Sequence, residues 1–336
     1  MPKQEMSHIP VIDFLRGLAA CSVCLFHFVY TTKDFITGAM SLSVFRWGYY
    51  GVHLFFVISG MVIPLSMIRG DYNYKAWPKF IWKRFIRIEP PYIAAVLIGT
   101  AFIVMHNHLP GSLSHVQIPS VQTLLLHLGY LVPFQHSGTW ISPVFWTLAI
   151  EFQYYLVLSL LFPLALSSAW AARVAFYMVF IGGCFCSDSF HFVPAWMPLF
   201  LLGIMYVLWH SGKVSLIEYA IVTIAAMILV YWKIDGASLW VAMGTLAIVH
   251  FFKNYSDPIS KFFGNISYSL YLLHAIVGSA FVNYFSHRVQ YGWQKGMIVI
   301  GGFLVSVTSA YLLNKFIEKP AQRLSSKVKY GTIPAK

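Results

Sequence analysis

Apolar residues along this chain come in long runs that short polar segments separate. A run of about 20 mostly apolar residues is long enough to cross a bilayer as a helix. The pattern predicts about ten such spans, at roughly 9–30, 47–68, 86–106, 144–166, 172–187, 194–210, 215–233, 237–252, 266–286 and 297–317. We therefore expect an all-α polytopic membrane protein, a single bundle of about ten transmembrane helices in which residues 1–336 form one integral-membrane domain.

Lys and Arg residues predict the orientation of this bundle, because basic loops are retained in the cytoplasm. They crowd residues 69–87 and a tail at about 318–336, whereas none occurs between His106 and Ala172. The loop at about 107–143 is then extracytoplasmic, and both termini are cytoplasmic.

Composition supports this class and narrows the choice of partners. The chain is 58% hydrophobic and only 10% charged, against about 25% charged residues in soluble domains. Its net charge of +12 would suggest nucleic acid for a soluble protein. Here the basic residues collect beside anionic lipid, so membrane lipids are expected partners and nucleic acid is not. The histidines of the outer loop match no strong metal-ligand spacing, and no metal is expected.

Three ionisable residues interrupt the first apolar run: Asp13, Arg16 and His27. Ionisable groups within a span are costly and are functional by default. Arg16 and His27 lie on nearly the same helix face and are separated by roughly 16 Å along the axis. In the predicted orientation Arg16 lies in the cytoplasmic half and His27 near the outer surface. The alternative is that each side chain reaches its nearest headgroup layer.

A carboxylate, Glu151, lies about two turns into another apolar run and is followed by Tyr154. An intramembrane carboxylate requires a partner. Depth counting puts Glu151 within reach of His27, and such a pair would orient the imidazole and raise its basicity. A structural ion pair with Arg16 or another cation is the other possibility.

Two further motifs each allow a structural and a functional interpretation. Ser59 and Gly60 near mid-depth indicate close helix packing or room for a ligand. Arg84 and Arg87 are typical of membrane anchoring, or of a phosphate site, because a guanidinium donates two parallel hydrogen bonds.

A histidine near mid-depth of a late span, His274, follows Ser269 by five residues. It is either a core histidine that a hydroxyl or a carbonyl satisfies, or part of a substrate-lining wall.

Taken together, these pieces resemble the membrane acyltransferase-3 family from Asp13 to about Pro320. The matching motifs, in order, are an Arg and a His separated by ten residues (Arg16, His27), F-x-x-S-G (Phe56 to Gly60), R-x-x-R (Arg84 to Arg87), W-[ST]-L-x-x-E-x-x-[FY]-Y (Trp146 to Tyr155), S-Y-x-[IL]-Y-L-x-H (Ser267 to His274) and E-K-P (Glu318 to Pro320). Each motif alone is weak, but six in this order are specific.

The resemblance implies a multi-pass enzyme of the bacterial cytoplasmic (inner) membrane that transfers an acyl group, mostly acetyl. The implied donor is acetyl-coenzyme A (acetyl-CoA), and the acceptor is a hydroxyl of an extracytoplasmic polysaccharide or lipid-linked glycan, such as O-antigen or exopolysaccharide. Arg84, Arg87 and Arg16 would hold the donor, and Arg16 would also belong to the catalytic group. His27, oriented by Glu151, would act as general base or carry the acetyl group itself. The expected substrate-lining residues are Asp13, Ser59, Gly60, Tyr154, Ser269 and His274.

Two other functions are compatible with the same residues. A proton-coupled transporter or channel would use the intramembrane charges as an ion relay. An acyltransferase acting on an intracellular small molecule would need the donor site but no outer acceptor site.

Overall fold

The computed structural model describes residues 9–32, 35–108, 115–135 and 139–330. All regular structure in these ranges is helical. The first part of the chain forms α1 (Val11–Val29), α2 (Ala39–Arg46), α3 (Gly51–Arg69), α4 (Trp77–His108), α5 (Val121–Leu128), α6 (Trp146–Ala165) and α7 (Trp170–Gly183). The second part forms α8 (Met197–His210), α9 (Leu216–Lys233), α10 (Gly236–Phe252), α11 (Pro258–Leu273), α12 (Ser279–Ser286), α13 (Gly292–Leu313) and α14 (Lys319–Ser326).

Eight stretches of the described chain are long and apolar enough to cross a membrane. Helices α7 and α10 are also apolar but have only 14 and 17 residues, fewer than the about 20 that a perpendicular crossing needs. These ten stretches lie at the ten positions predicted from the sequence. The all-α polytopic architecture is therefore confirmed, while the count of about ten crossings and the cytoplasmic location of both termini stay predictions.

The first helix, α1, packs between α3 and α11. Its contact with α11 is close because a glycine lies at the crossing: a Cβ added at Gly264 would lie 2.6 Å from the Cβ of Asp13. Small residues allow such backbone approach between membrane helices. The contact fixes the depth and rotation of α1, and so of Arg16 and His27, against the later helices.

Two of the long helices contain a π-turn, whose hydrogen-bonded ring holds one residue more than that of an α-helix. One π-turn covers His274–Gly278 and joins α11 to α12. The other covers Asn314–Glu318 and joins α13 to α14. Such turns are frequent at functional sites, and here one begins at a predicted site residue, His274, and the other ends at the carboxylate Glu318.

The segment between α4 and α6, which the predicted topology makes the outer segment, contacts the bundle through Tyr130. Tyr130, which follows α5, is 4% exposed, and its hydroxyl donates to Glu89 Oε2 on α4 at 2.7 Å. Its ring stacks on Tyr92 and on Phe152. Tyr130 adopts a φ of +55°, a left-handed conformation that is unusual for a large side chain. The segment is thus tied to the same helix, α4, that holds the predicted arginines.

Candidate active site

Five residues that the sequence predicted to be functional line one cavity inside the bundle. They are Arg16, Ser59, Arg84, Arg87 and Glu151. Helices α1, α3, α4 and α6 supply them, and the volume of the cavity is about 120 Å³. The fold therefore brings basic, acidic and hydroxyl groups from distant parts of the chain to one place.

The carboxylate of Glu151 is held by two hydroxyl groups. Ser59 Oγ donates to Glu151 Oε1 at 3.2 Å, and the Tyr155 hydroxyl donates to the same oxygen at 2.5 Å. Neither predicted partner is present: within the described residues Glu151 forms no hydrogen bond with His27 and no ion pair with Arg16. Tyr154 is the tyrosine that the sequence pattern predicts to be functional; Tyr155, four residues after Glu151, makes the contact instead, and its i,i+4 spacing is the signal that indicates it.

A second carboxylate, Glu318, lines the same cavity and was missed as a site residue. It is 2% exposed, and it accepts hydrogen bonds from Ser269 Oγ at 2.5 Å, Asn314 Nδ2 at 2.9 Å and Gln322 Nε2 at 2.8 Å. Ser269 was predicted to line the substrate path; it instead positions Glu318. The available sequence signal was polar residues four positions before and after a carboxylate, on one face of the last span.

The arginines of the cavity are arranged to receive an anion. Arg84 is 3% exposed, and its guanidinium lies over the rings of Phe80 and Tyr155, at 5.3 and 5.6 Å. Its Nε finds no hydrogen-bond partner among the described residues. Because a buried donor without a partner is costly, this group favours a ligand that accepts from it. With Arg16 and Arg87, three cations face two carboxylates here.

A larger cavity of about 600 Å³ adjoins the first at the ends of α3 and α4. Its basic lining residues are Arg16, Arg69, Lys83, Arg87 and Lys329, and its acidic ones are Asp13 and Asp71. The two cavities share Arg16, Val62 and Arg87, so they are neighbours with a common wall. We call the larger one the basic mouth; on the predicted topology it opens toward the cytoplasm. Asp13, predicted to line the path, lies here.

The two predicted histidines meet at the far end of α1. His274 Nε2 lies 3.3 Å from His27 Nδ1. His27 Nδ1 also lies 2.9 Å from the carbonyl oxygen of Val23, and His274 Nδ1 lies 3.0 Å from that of Leu270. A carbonyl oxygen only accepts, so each Nδ1 carries a proton and each Nε2 carries a lone pair. The proton on His27 Nδ1 is shared by Val23 and His274, and His27 Nε2 is left to act as a base or nucleophile.

The cavity and the histidine pair are separated by Tyr271. Its hydroxyl donates to Thr147 Oγ1 at 2.9 Å, and its ring centroid lies 5.8 Å from that of His274. Glu151 lies one turn below Thr147, and His274 one turn above Tyr271. The carboxylate and the histidine pair therefore differ in depth by about 10 Å, which is why Glu151 does not orient His27.

Two predicted lining residues face helix α8 instead of the cavity. A Cβ added at Gly60 would lie 2.3 Å from the carbonyl oxygen of Phe200, so Gly60 allows α3 and α8 to approach closely. Tyr154 is fully buried, and its ring stacks on that of Phe200 with centroids 3.9 Å apart. Both belong to the packing of α3 and α6 against α8, and neither lines either of the two cavities; their substrate-lining role stays a prediction.

Helices long enough to cross a membrane, with a charged cavity and a histidine pair among them, define a multi-pass membrane protein. A family described as an acyltransferase domain matches residues 9–315. The chain belongs to this family, acyltransferase-3, and is an acyltransferase.

Several curated proteins are similar to the chain. A provisionally named acetyltransferase of Acidianus two-tailed virus is 27% identical over 303 residues, which cover 81% of this chain and 84% of the viral protein. A provisionally named O-acetyltransferase of Staphylococcus aureus strain COL is 24% identical over 95% of this chain, which spans only 58% of that relative's length. The peptidoglycan O-acetyltransferase OatA of Listeria monocytogenes is 25% identical over 46% of this chain and 24% of its own length. No solved structure gives a significant match.

Proposed function

We propose that this acyltransferase moves an acetyl group from cytoplasmic acetyl-CoA to a hydroxyl of an extracytoplasmic carbohydrate, in the bacterial cytoplasmic membrane. The observation that carries the proposal is that the basic mouth lies directly beside the cavity that Arg84 and Glu151 line, with Arg16 and Arg87 in the wall common to both. A ligand with a phosphorylated end and a long neutral arm suits such a shape, because its charges stay at the mouth while the arm enters the bundle.

The basic mouth suits the phosphate groups of coenzyme A. Its five basic residues outnumber its two acidic ones, and guanidinium groups bind phosphate through paired hydrogen bonds. Arg16 and Arg87 belong to both cavities, so they lie where the phosphorylated end would give way to the pantetheine arm.

The inner cavity suits the amide groups of that arm. Glu151 Oε1 is occupied by two hydroxyl donors, whereas Oε2 accepts no hydrogen bond from the described residues. In this proposal Oε2 accepts from an amide N–H of the pantetheine arm. Arg16 and His27 are separated by roughly 16 Å along α1, a distance of which an extended arm covers a large part.

At the far end, His27 performs the chemistry. Its Nε2 lone pair removes the proton of the acceptor hydroxyl, whose oxygen attacks the carbonyl carbon of the thioester. The carbon–sulfur bond breaks, and the coenzyme A thiolate takes the proton from His27. In the covalent variant Nε2 itself attacks the thioester carbon, and the carbon–sulfur bond breaks to release the coenzyme A thiolate. The acetyl group then passes from Nε2 to the hydroxyl oxygen, and the hydroxyl proton goes to the thiolate. Either way, His274 stabilises the imidazole through its contact with Nδ1.

The proposed acceptor is a surface polysaccharide or its lipid-linked precursor, such as O-antigen or exopolysaccharide. The Listeria relative carries the name of a peptidoglycan O-acetyltransferase, so the glycan chain of peptidoglycan is a further acceptor of the same chemical class. Support for a carbohydrate comes from this name and from the predicted outer location of His27.

The test is acetylation of surface glycans in cells that express the wild type, His27→Ala or Arg16→Ala at matched membrane levels, with isotope-labelled acetate. Tyr154→Phe is the control, because Tyr154 packs outside the cavity. We expect label in the wild type and the control, and its loss in both other variants. Full labelling with His27→Ala would refute the base and the covalent roles together. Enzyme activity without surface label would refute the extracytoplasmic acceptor.

A further inference from the structure

The C-terminal segment of the described chain lies across the basic mouth. Helix α14 packs against the first turns of α4, and Ser325 Oγ donates to the carbonyl oxygen of Lys83 at 3.0 Å. After α14 the chain continues to Tyr330, which is only 8% exposed. Lys329 and Tyr330 both line the mouth.

The ring of Tyr330 lies in a pocket that residues of α4 and of the loop between α3 and α4 form. Its ring centroid lies 5.9 Å from that of Tyr72 and 6.1 Å from that of Phe80, and Lys83 Nζ lies 4.9 Å from its centroid. Where α3 ends, Gly70 leaves the space for the ring, since a Cβ there would lie 2.3 Å from Tyr330 Cδ2. The position of the ring is therefore specified from several sides.

The hydroxyl of Tyr330 is buried and finds no hydrogen-bond partner among the described residues. A buried hydroxyl is costly unless it is hydrogen-bonded. If the ring served only to anchor the tail, phenylalanine would fill the pocket without that cost. Tyr330 also lines a cavity in which basic groups predominate, and an anion bound beside the ring could accept the hydrogen bond of its hydroxyl.

We propose that Tyr330 and Lys329 bind a phosphate of the nucleotide end of the donor, so that the C-terminal segment supplies one wall of the donor site. The inference rests on the proposed function, which places the nucleotide end in the basic mouth. The Tyr330 hydroxyl donates a hydrogen bond to a phosphate oxygen, and Lys329 Nζ supplies charge beside it.

The experiment compares two acetyl donors on the purified full-length protein in lipid nanodiscs. Acetyl-CoA carries the phosphates, and acetyl-pantetheine has the same thioester and arm without them. The variants are Tyr330→Phe and Lys329→Ala. The matched control is Lys327→Ala. Lys327 lies two residues before Lys329 and carries the same charge, but its side chain is exposed and lines neither cavity.

We expect Tyr330→Phe and Lys329→Ala each to raise the KM for acetyl-CoA by about tenfold, the usual size for loss of a hydrogen bond or contact to a charged group. kcat/KM for acetyl-pantetheine should not change, and Lys327→Ala should match the wild type with both donors. Equal losses with both donors would show that the segment only stabilises the fold and would overturn the assignment. Unchanged KM in both variants would also overturn it.

The outcome separates this inference from the function on which it rests. If the wild type uses acetyl-CoA but the variants show no difference between donors, only the role of the C-terminal segment fails. If the wild type uses neither donor, the donor proposal fails and the assignment of Tyr330 and Lys329 fails with it.

Discussion

His274 Nε2 lies 3.3 Å from His27 Nδ1, although 247 residues separate the two in sequence. Both rings direct their Nδ1 protons to carbonyl oxygens one turn earlier on their own helices. The lone pair of His274 therefore faces the protonated nitrogen of His27. This arrangement matches the base and its orienting acceptor in hydrolytic triads, with a neutral imidazole in place of a carboxylate.

The first prediction concerns this contact. His274→Ala removes the acceptor at His27 Nδ1 and should lower kcat by about tenfold, the size expected for one hydrogen bond near a developing charge. The KM for the acetyl donor should stay the same, because the proposed function puts the donor phosphates at the other end of α1. His27→Ala should lower kcat by about 10²- to 10⁴-fold, the range for loss of a general base. Steady-state kinetics in nanodiscs measure both.

His274→Gln tests whether the hydrogen-bond acceptor, and not only the bulk of the side chain, matters at this contact. The amide oxygen of glutamine can accept from His27 Nδ1, so Gln should recover part of the rate that Ala loses. If Ala and Gln were equally impaired, or if Ala retained the full rate, the orienting role of His274 would be disproved.

The second prediction uses two adjacent tyrosines. Tyr155→Phe removes a donor to Glu151 and should reduce transfer about tenfold, since the carboxylate loses one of its two hydroxyl partners. Tyr154→Phe should leave transfer unchanged, and it should raise stability by up to about 1 kcal/mol because it removes a buried hydroxyl that lacks a described partner. Activity assays and thermal unfolding in detergent distinguish the two. The reverse order of activities would contradict the assignment.

The helices were predictable because a membrane-spanning helix needs about 20 consecutive apolar residues to cross the bilayer, whereas helices of soluble proteins have no such length requirement. The first and last residues of each helix were harder to predict, because a helix can continue beyond the bilayer. Helix α4 begins at Trp77, nine residues before the predicted span, because the basic stretch ahead of the apolar run is also helical. Helix α11 likewise begins at Pro258, where Asp257 caps it.

The third prediction concerns the contact between α3 and α8. Gly60→Ala should destabilise the bundle by about 1–3 kcal/mol, the usual cost of overpacking, because the new methyl group would press on the backbone of Phe200. The control is Gly244→Ala on α10, where a Cβ has nothing within 4 Å and alanine favours the helix. Thermal unfolding measures both; equal stability of the two variants would argue against this packing.

The fourth prediction is a pH effect on the outer segment. His127 is buried, its Nδ1 donates to Thr123 O at 2.8 Å, and its Nε2 accepts from the Ile141 N–H at 3.2 Å. The bond from the Ile141 N–H requires the neutral ring, because a protonated Nε2 cannot accept. Burial also lowers the pKa of His127 from its ordinary value of 6.5. The undocked segment keeps the ordinary value, so docking is fully stable above about pH 6.5 and weakens as the pH falls below it.

Hydrogen–deuterium exchange at pH 7.5 and 5.5, corrected for intrinsic rates, should show faster exchange of the Ile141 amide at the lower pH. His127→Gln offers a donor and an acceptor without a titrating ring, and it should remove the pH difference. The same difference in both proteins would exclude His127 as its source.

The sequence predicts which residues belong to the site better than it predicts which of them contact each other. Arg16, Ser59 and Glu151 could be recognised from the sequence, because polar groups within an apolar run are energetically costly and usually have a function. Which of them meet depends on the relative depth of two helices, and that depth follows from contacts such as Gly264 against Asp13. No local pattern records these contacts, and for this reason the predicted partner of His27 was wrong.

The π-turn after His274 also limits how changes in chain length spread. Removing one residue between positions 275 and 277 would restore an ordinary α-turn and leave the rotation of α12 nearly unchanged, because the π-turn holds one residue more than an α-turn. The helix before His274, with Ser269 and Tyr271, would keep its place. The same reasoning applies to the π-turn that ends at Glu318. The ends of these two helices can therefore diverge in length and sequence during evolution while the chemistry between them is preserved.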